Sequence, residues 1–412
     1  MKLFILSVLC FFISLSGIAG PETVCKTGNT RITRTITVQN DSLYTASLLL
    51  HADSSQFIRK SRDFSFRIND RFYSGFSGWR LLNQKSIQDS SGGSGLYLRL
   101  ASASAGPDFE IEIRYLSYPG LPVMRKNITF INSGDQDLKL ESVTVEDLVT
   151  ALNYIHTTVH HNYGRMRHLG RYVGDWHDPV VVAHEVPERR GFALGNEAVA
   201  VLKRTAWHTR ENNIEIGLTR PGQPFPFRKW LEPGDSWTAP NTFICPYSGR
   251  DDGYQVINSE INEFIVRYMQ PRVTGLQTKP VFVYNTWYPF RTFVNDSLVR
   301  DVARAAAECG IEEFIIDDGW QTNAHGRTSE TGWGENYGDW YVDQNKFPGG
   351  LKPTFDTIKS LGMKPGLWMS IGSATQDAQV FQEHPEWFVR DPDGEIGNLH
   401  SEHDSDFYSA SF

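Results

Sequence analysis

The run Phe314-Ile315-Ile316-Asp317-Asp318-Gly319-Trp320 places two carboxylates and an indole directly after an apolar stretch. Carboxylates accept hydrogen bonds from sugar hydroxyls, and an indole face packs on the apolar face of a pyranose ring. Two similar stretches flank it: 281–284 lead into Asn285-Thr286-Trp287, and 364–370 carry Trp368. The candidate ligand-binding residues are therefore Asp317, Asp318, Trp368, Trp287 and Trp320. The two carboxyls that cleave a glycosidic bond must flank it, about 5–5.5 Å apart in retaining enzymes and further in inverting ones. Neighbours at one strand end sit side by side, so Asp317 and Asp318 read as hydroxyl acceptors rather than as a catalytic pair. A lone Asp here would read as a loop cap; a pair after an apolar run, followed by Gly-Trp, favours the binding role.

The elements that must position these residues form a pattern seen three times after residue 280: a short apolar strand, a polar turn, a helix. The first helix opens at Asn295 or Asp296, either a good N-cap, and presents Leu298, Val299, Val302, Ala303 and Ala306 on one face before Gly310. The second runs over 353–361 and stops at Gly362, and a further helix is expected between 376 and 388. Such alternation predicts a parallel α/β fold, with the chemistry at the C-terminal ends of its strands. A closed (β/α)8 TIM barrel takes roughly 250 residues, and 275–412 is little more than half of that. About three β/α units of a truncated barrel are expected.

The preceding part reads as β structure. Segments 31–38, 43–50, 64–68, 96–100, 109–116, 127–131, 138–145, 180–183, 198–202 and 214–218 alternate or cluster apolar and β-branched residues between turn signals such as Asn40-Asp41 and Asn69-Asp70. Strands without intervening helices predict an antiparallel sandwich over 25–252. A helix over 254–269, within a linker at 253–274, carries Val256, Ile257, Ile261, Phe264, Ile265 and Tyr268 on one face. Residues 1–20 have a positive start at Lys2, an apolar run and small residues before Pro21, the pattern of a cleaved secretory signal. A membrane anchor is the weaker reading, because the run is short and lacks a basic stop.

The mature cysteines would be Cys25, Cys245 and Cys309. Their spacing matches no metal motif, a Cys25–Cys245 bridge stays open in an exported protein, and Cys309 reads as a buried small hydrophobe. Histidines 156, 160, 161, 168, 177 and 184 crowd one loop-like stretch and read as surface or interface groups. A metal site, or a loop overhanging a barrel mouth in the same or a neighbouring subunit, is the alternative. The net charge of −8 and the lack of a basic stripe argue against a nucleic-acid partner. No membrane partner is expected after signal cleavage, and a homo-oligomer stays open. The Gly-rich turn at 90–95 lacks a phosphate-loop lysine, and no cofactor is expected.

Several motifs in order resemble glycoside hydrolase family 36, the melibiase-type α-galactosidases. They are Asn285-Thr286-Trp287, Phe314 to Trp320, Gly338-Asp339-Trp340 followed by Lys346-Phe347-Pro348-Gly349-Gly350-Leu351-Lys352-Pro353, Gly362-Met363-Lys364-Pro365-Gly366-Leu367-Trp368, and Glu383-His384-Pro385-Glu386-Trp387. Tyr118-Pro119-Gly120-Leu121-Pro122-Val123 with Arg125-Lys126 resembles that family's N-terminal β-supersandwich. The resemblance implies a retaining α-galactosidase that acts on terminal α-linked galactose in oligosaccharides, with Asp317, Asp318 and Trp368 around the galactose. Met369-Ser370-Ile371 departs from the aromatic and acidic residues usual after Gly-Leu-Trp, which opens the pocket rim to another sugar, as in an α-N-acetylgalactosaminidase. The family's nucleophile, in a Lys-x-Asp motif on the fourth strand, and its acid/base are expected beyond Phe412, so no catalytic residue is assigned. Asp391, Asp393, Asp404 and Asp406 lie in or near a turn and do not read as substitutes. The expectation is an N-terminal portion of such an enzyme, inactive by itself; a non-catalytic carbohydrate-binding protein is the alternative of another class.

Overall fold

The computed structural model describes residues 11–12, 22–103, 106–153, 155–161, 164–169, 172–174, 179–199, 202–208, 211–223, 225–269, 280–330, 336–390, 396, 398–400 and 406–409. The expected signal lies outside these residues, except that Phe11 and Phe12 pair with Val24 and Thr23. His177, Asp391, Asp393 and Asp404 also lie outside them. The chain divides into two compact units, Met1–Thr274 and Gly275–Phe412.

The first unit is antiparallel. Its ten-stranded sheet runs Gly164–Leu169, Ile155–His161, Val180–Glu185, Arg190–Asn196, Thr242–Tyr247, Met124–Asn132, Phe109–Ser117, Ser94–Ser102 and Trp79–Gln88, with Ser236–Thr238 beside Met124–Asn132. A seven-stranded sheet runs Tyr172–Gly174, Lys203–His208, Asn213–Leu218, Leu138–Val149, Asp63–Ile68 and Arg71–Ser74, with Arg228–Leu231 beside Leu138–Val149. A five-stranded sheet holds Phe11–Phe12, Thr23–Gly28, Ile32–Gln39, Ser42–Leu50 and Ser55–Ile58. Hairpin register is set by the Asn40-Asp41 and Asn69-Asp70 turns, whose four residues all take positive φ, as a two-residue turn between twisted strands requires. Strand alternation turns Phe64, Phe66, Tyr73, Phe109 and Phe130 inward, where Phe66 meets Phe130 edge-on at 4.8 Å. Helical turns over 254–269 lay Val256, Ile261, Phe264 and Tyr268 against Tyr118, Phe243 and Tyr247 in a second apolar cluster. Among the described residues, no helix is long and apolar enough to cross a membrane.

Inside this unit four charged side chains are fully buried together. Arg34 donates to Glu146 Oε1 at 2.7 Å and Asp63 Oδ1 at 2.6 Å, and Lys126 donates to Asp63 Oδ2 at 2.6 Å. Tyr115 adds a hydroxyl to Asp63 Oδ2 at 2.6 Å, and Thr45 one to Oδ1 at 2.5 Å. The members come from all three sheets, so the cluster pins them to one another.

Several expectations are corrected. In the expected strand 198–202, the described residues Ala198, Val199 and Leu202 belong to no strand. The histidine-bearing stretch is not a loop but the strands Ile155–His161, Gly164–Leu169 and Tyr172–Gly174, whose residues pair in antiparallel ladders. His184 is a core residue rather than a surface one, with Nδ1 3.0 Å from the Tyr247 hydroxyl and the two rings stacked. Cys25 and Cys245 form no bridge: the Cys25 thiol donates to Gln84 Oε1 at 3.2 Å, and Cys245 lies in the other apolar cluster. Cys309 is exposed, because it caps the end of its helix instead of facing the core.

The second unit has a parallel sheet in the order Val283–Asn285, Glu313–Ile316, Lys364–Leu367. Helix Asp296–Glu308 opens at Asn295, whose side chain accepts from the Leu298 amide at 3.0 Å. Helix Leu351–Ser360 follows, and both helices press Val299, Ala303, Ala306 and Ile358 onto Phe314 and Ile316. The third helical stretch is shorter than expected: Gln379–Glu383, then one turn at Pro385–Trp387, because Pro385 cannot continue the helix. Replacing Asn295 by Ala should cost about 1 kcal/mol through the lost cap, readable as a lower urea midpoint with an unchanged slope.

Candidate functional site

The three parallel strands end at one rim. A cleft of about 450 Å³ there is lined by Asn285, Trp287, Tyr288, Asp317, Asp318 and Trp368. Each strand thus delivers part of the lining: Asn285 and Trp287 after the first, the aspartates after the second, Trp368 after the third.

The aspartates are held differently. Asp317 keeps 8% of its surface exposed; it accepts from Asn285 Nδ2 at 2.7 Å and from the Asp318 amide at 2.7 Å. Asp318 is 1% exposed and accepts three hydrogen bonds, from Gln321 Nε2 and Ser329 Oγ at 2.6 Å on one oxygen and from the Tyr337 hydroxyl at 3.1 Å on the other. Burial and then the Asp318 charge push the Tyr337 phenol well up, so it remains a donor. A carboxylate offers about four acceptor positions. Asp317 therefore has acceptor capacity left for a ligand hydroxyl, while Asp318 anchors the loop that shapes the cleft.

The turn carrying the pair is tightly specified. Gly319 has φ +109°, and a Cβ there would lie 2.3 Å from the Thr292 carbonyl oxygen. Lys346 donates to the carbonyls of Thr292 and Gly319, both at 2.9 Å, tying the turn to the loop after the first strand. Gly319→Ala is expected to destabilise the second unit by roughly 1–3 kcal/mol and to weaken any ligand that uses Asp317, as thermal melts and titrations would read.

Trp320 does not line the cleft. It is 3% exposed, donates Nε1 to the Trp368 carbonyl at 3.0 Å and stacks on Trp340. The strand-end turn points it back into the core, so it supports Trp368 instead of meeting a ligand. Trp368 also packs on Tyr337 and Trp340, with ring centroids 5.5 and 6.1 Å away. The Asp339-Trp340 motif gains a physical role here: Asp339 accepts from the amides of Ala324 and Val380, and Trp340 completes the aromatic support. Asn285 and Tyr288 were not among the sequence candidates. Asn285 was legible as an amide at the end of the first strand, whereas Tyr288, 71% exposed, carries no such signal. Asp406 begins a strand, Asp406–Ser409, paired with Asn398–His400 and Ser373–Thr375, and is not among the cleft-lining residues. No metal-ligating cluster occurs among the described residues.

Residues 236–403 match the family model Melibiase. Alpha-galactosidase 2 of Pediococcus pentosaceus is 25% identical over 306 residues, covering 68% of this chain and 40% of that protein. An alpha-galactosidase of Escherichia coli is 31% identical over 171 residues, covering 40% and 22%. The chain thus spans less than half the length of these relatives. The fold superposes on the galactosidase domain of an alpha-galactosidase-sucrose kinase with TM-score 0.75 at 14% identity, covering 94% of this chain and 61% of that one. The GH36 alpha-galactosidase AgaA of Geobacillus stearothermophilus gives 0.69 at 16% identity, with 94% and 61% covered. An antiparallel β domain followed by part of a β/α catalytic domain is therefore the architecture here, and over residues 236–403 the chain is similar to the melibiase family.

Proposed function

We propose that the second unit recognises terminal α-linked galactose, as the galactose-holding part of a retaining α-galactosidase site, and that the chain is exported. The observation that carries this reading is the cleft itself, where a partly unsatisfied Asp317 faces Trp287 and Trp368 at the ends of parallel strands. That is the acceptor-plus-indole set a pyranose needs. Relatives named alpha-galactosidases, and a solved variant of the Geobacillus enzyme in complex with raffinose, support galactosides as the ligand class. Hydrolysis is a separate matter. Among the described residues Asp317 and Asp318 are the carboxylates lining the cleft, they are adjacent, and Asp318 already accepts three hydrogen bonds. Among the described residues lining the cleft no carboxylate faces them, and on this reading the chain should bind galactosides without cleaving them. Titration with raffinose should give saturable binding, and p-nitrophenyl α-galactoside should not turn over above background. Absence of raffinose binding refutes the recognition site; robust turnover refutes the non-hydrolytic assignment.

A further inference from the structure

The seven-stranded sheet has a second face that the galactoside reading leaves unused. Strand alternation sends Phe64, Phe66, Tyr73, Ile214 and Ile216 into the core and leaves Ser65, Arg67, Phe72, Asn213 and Glu215 on the opposite side. Asp147 sits directly across from Glu215 in the ladder. A cleft of about 350 Å³ opens on this face, lined by Arg62, Ser65, Arg67, Phe72, Ser142, Asp147, Glu215, Arg220 and Pro221. Two carboxylates side by side repel, and they can be buried only where cations and other donors hold each of them. Asp147 and Glu215 are nonetheless as buried as the core, so the cations around them are drawn onto this face of the sheet.

Both carboxylates are already satisfied from within. Asp147 takes Ser65 Oγ and Asn213 Nδ2, each at 2.8 Å, and pairs with Arg62 at 3.3 Å. Glu215 takes Arg204 at 2.7 Å and pairs with Arg220 at 3.2 Å. The donors are not used up. Arg220 Nε has no acceptor among the described residues. Arg62 is partly exposed, and Arg67 is exposed and uses one N–H on the Asp70 carbonyl. Each guanidinium carries five N–H donors, so the cleft offers donors in excess and few acceptors. Phe72, 47% exposed and directly across the ladder from Arg67, adds an apolar wall beside those donors.

We propose that this cleft is a second binding site, distinct from the galactoside cleft, for a small carboxylate-bearing saccharide of the uronic acid class. Its carboxylate meets the forked donors of Arg67, Arg62 and Arg220, and its ring C–H face lies on Phe72. Arginine suits this task because its planar fork matches a carboxylate in two parallel hydrogen bonds.

The test is a titration of the full chain with galacturonate and with galactose, followed by NMR at low and high salt. The Asp317→Asn variant serves as background, so that the galactoside cleft does not contribute. Galacturonate should saturate at least about tenfold more tightly than galactose, and the difference should shrink as salt screens the charges. Arg67→Gln and Phe72→Ala each change an exposed residue, so both should fold as the parent does, and each should weaken galacturonate several-fold. Equal binding of galactose and galacturonate, undiminished binding in Arg67→Gln, or no saturable binding at all would overturn the proposal. If inorganic sulfate competes as strongly as galacturonate and Phe72→Ala has no effect, the saccharide assignment is overturned in favour of a simple anion site. Raffinose binding by the parent chain reports on the galactoside cleft separately, so the two sites fail or stand independently.

Discussion

Replacing Arg34 by Met should lower the stability of the first unit by about 3–5 kcal/mol, the cost of leaving buried charge unpaired. Arg34 holds both oxygens of Glu146, at 2.7 and 2.8 Å, and one oxygen of Asp63. Without it Glu146 keeps only Lys126, at 3.5 Å, as a charged partner within the cluster. For a unit of this size each kcal/mol shifts the midpoint by about 2–4 °C, so a fall of roughly 10 °C is the expected reading. Converting Glu146 to Leu in the same background removes the orphaned charge and should restore part of the loss, because an apolar replacement of a buried ion pair is often neutral. A single variant that melts within about 2 °C of the parent would show that the cluster contributes little.

The same cluster gives the acid response its sign. Burial raises the Asp63 carboxyl, but Lys126 and Arg34 outweigh it and hold the group far below the usual carboxylate range. Glu215 is likewise raised by burial yet drawn down to about 2 by Arg220 and Arg204. Both groups have lower values folded than unfolded, so the unfolded chain binds protons first as pH drops. Their contribution is complete at neutral pH and is lost as pH falls from about 5, down to about 2 for Glu215 and lower still for Asp63, the span between the unfolded and folded values. Chemical denaturation across that range should show a steep decline, shallower in an Arg34→Met variant because the pull on Asp63 is weaker. An unchanged slope in the variant would detach the acid response from the cluster.

The cluster was hidden in plain alternation. Lys126 falls in phase with Met124, Ile128 and Phe130, and Arg34 in phase with Ile32, Ile36 and Val38. A lysine in the apolar phase of a strand is the one local signal available, yet it cannot be told from an exposed residue until a carboxylate distant in sequence is placed against it. Glu146 is 112 residues from Arg34. The second unit was more legible, because its strands, caps and glycines act locally: Asn295, Gly310 and Gly362 mark helix ends through their own backbone and side chains. The indoles divide on the same principle. Trp287 and Trp368 follow strand ends directly and reach the cleft, whereas Trp320 sits one residue beyond Gly319, whose positive φ reverses the chain. That reversal depends on the close approach of Thr292, a tertiary contact that no strand pattern announces.

Replacing Asp317 by Asn should weaken galactoside binding by about 100-fold while leaving the fold intact. A hydrogen bond to a charged group contributes about 1.5–3 kcal/mol, and a carboxylate facing a sugar can make two. The substitution keeps the shape and one acceptor, so the loss would come from charge and from one oxygen turned into a donor. Structural damage should be smaller than at Asp318: the Asp318 amide can still donate to the remaining carbonyl oxygen, and the new NH2 faces one donor, Asn285 Nδ2, at the partly exposed cleft. Asp318→Asn provides the contrast. Its carboxylate is ringed by donors from Gln321, Ser329 and Tyr337, and an amide NH2 would face one of them. That variant should lose about 1–3 kcal/mol of stability in the second unit together with binding. Paired titrations and melts separate the two outcomes: binding lost with the smaller change in stability for Asp317, binding and more stability lost for Asp318. If Asp317→Asn binds raffinose as the parent does, the ligand does not use this carboxylate, and the cleft is not a galactose site.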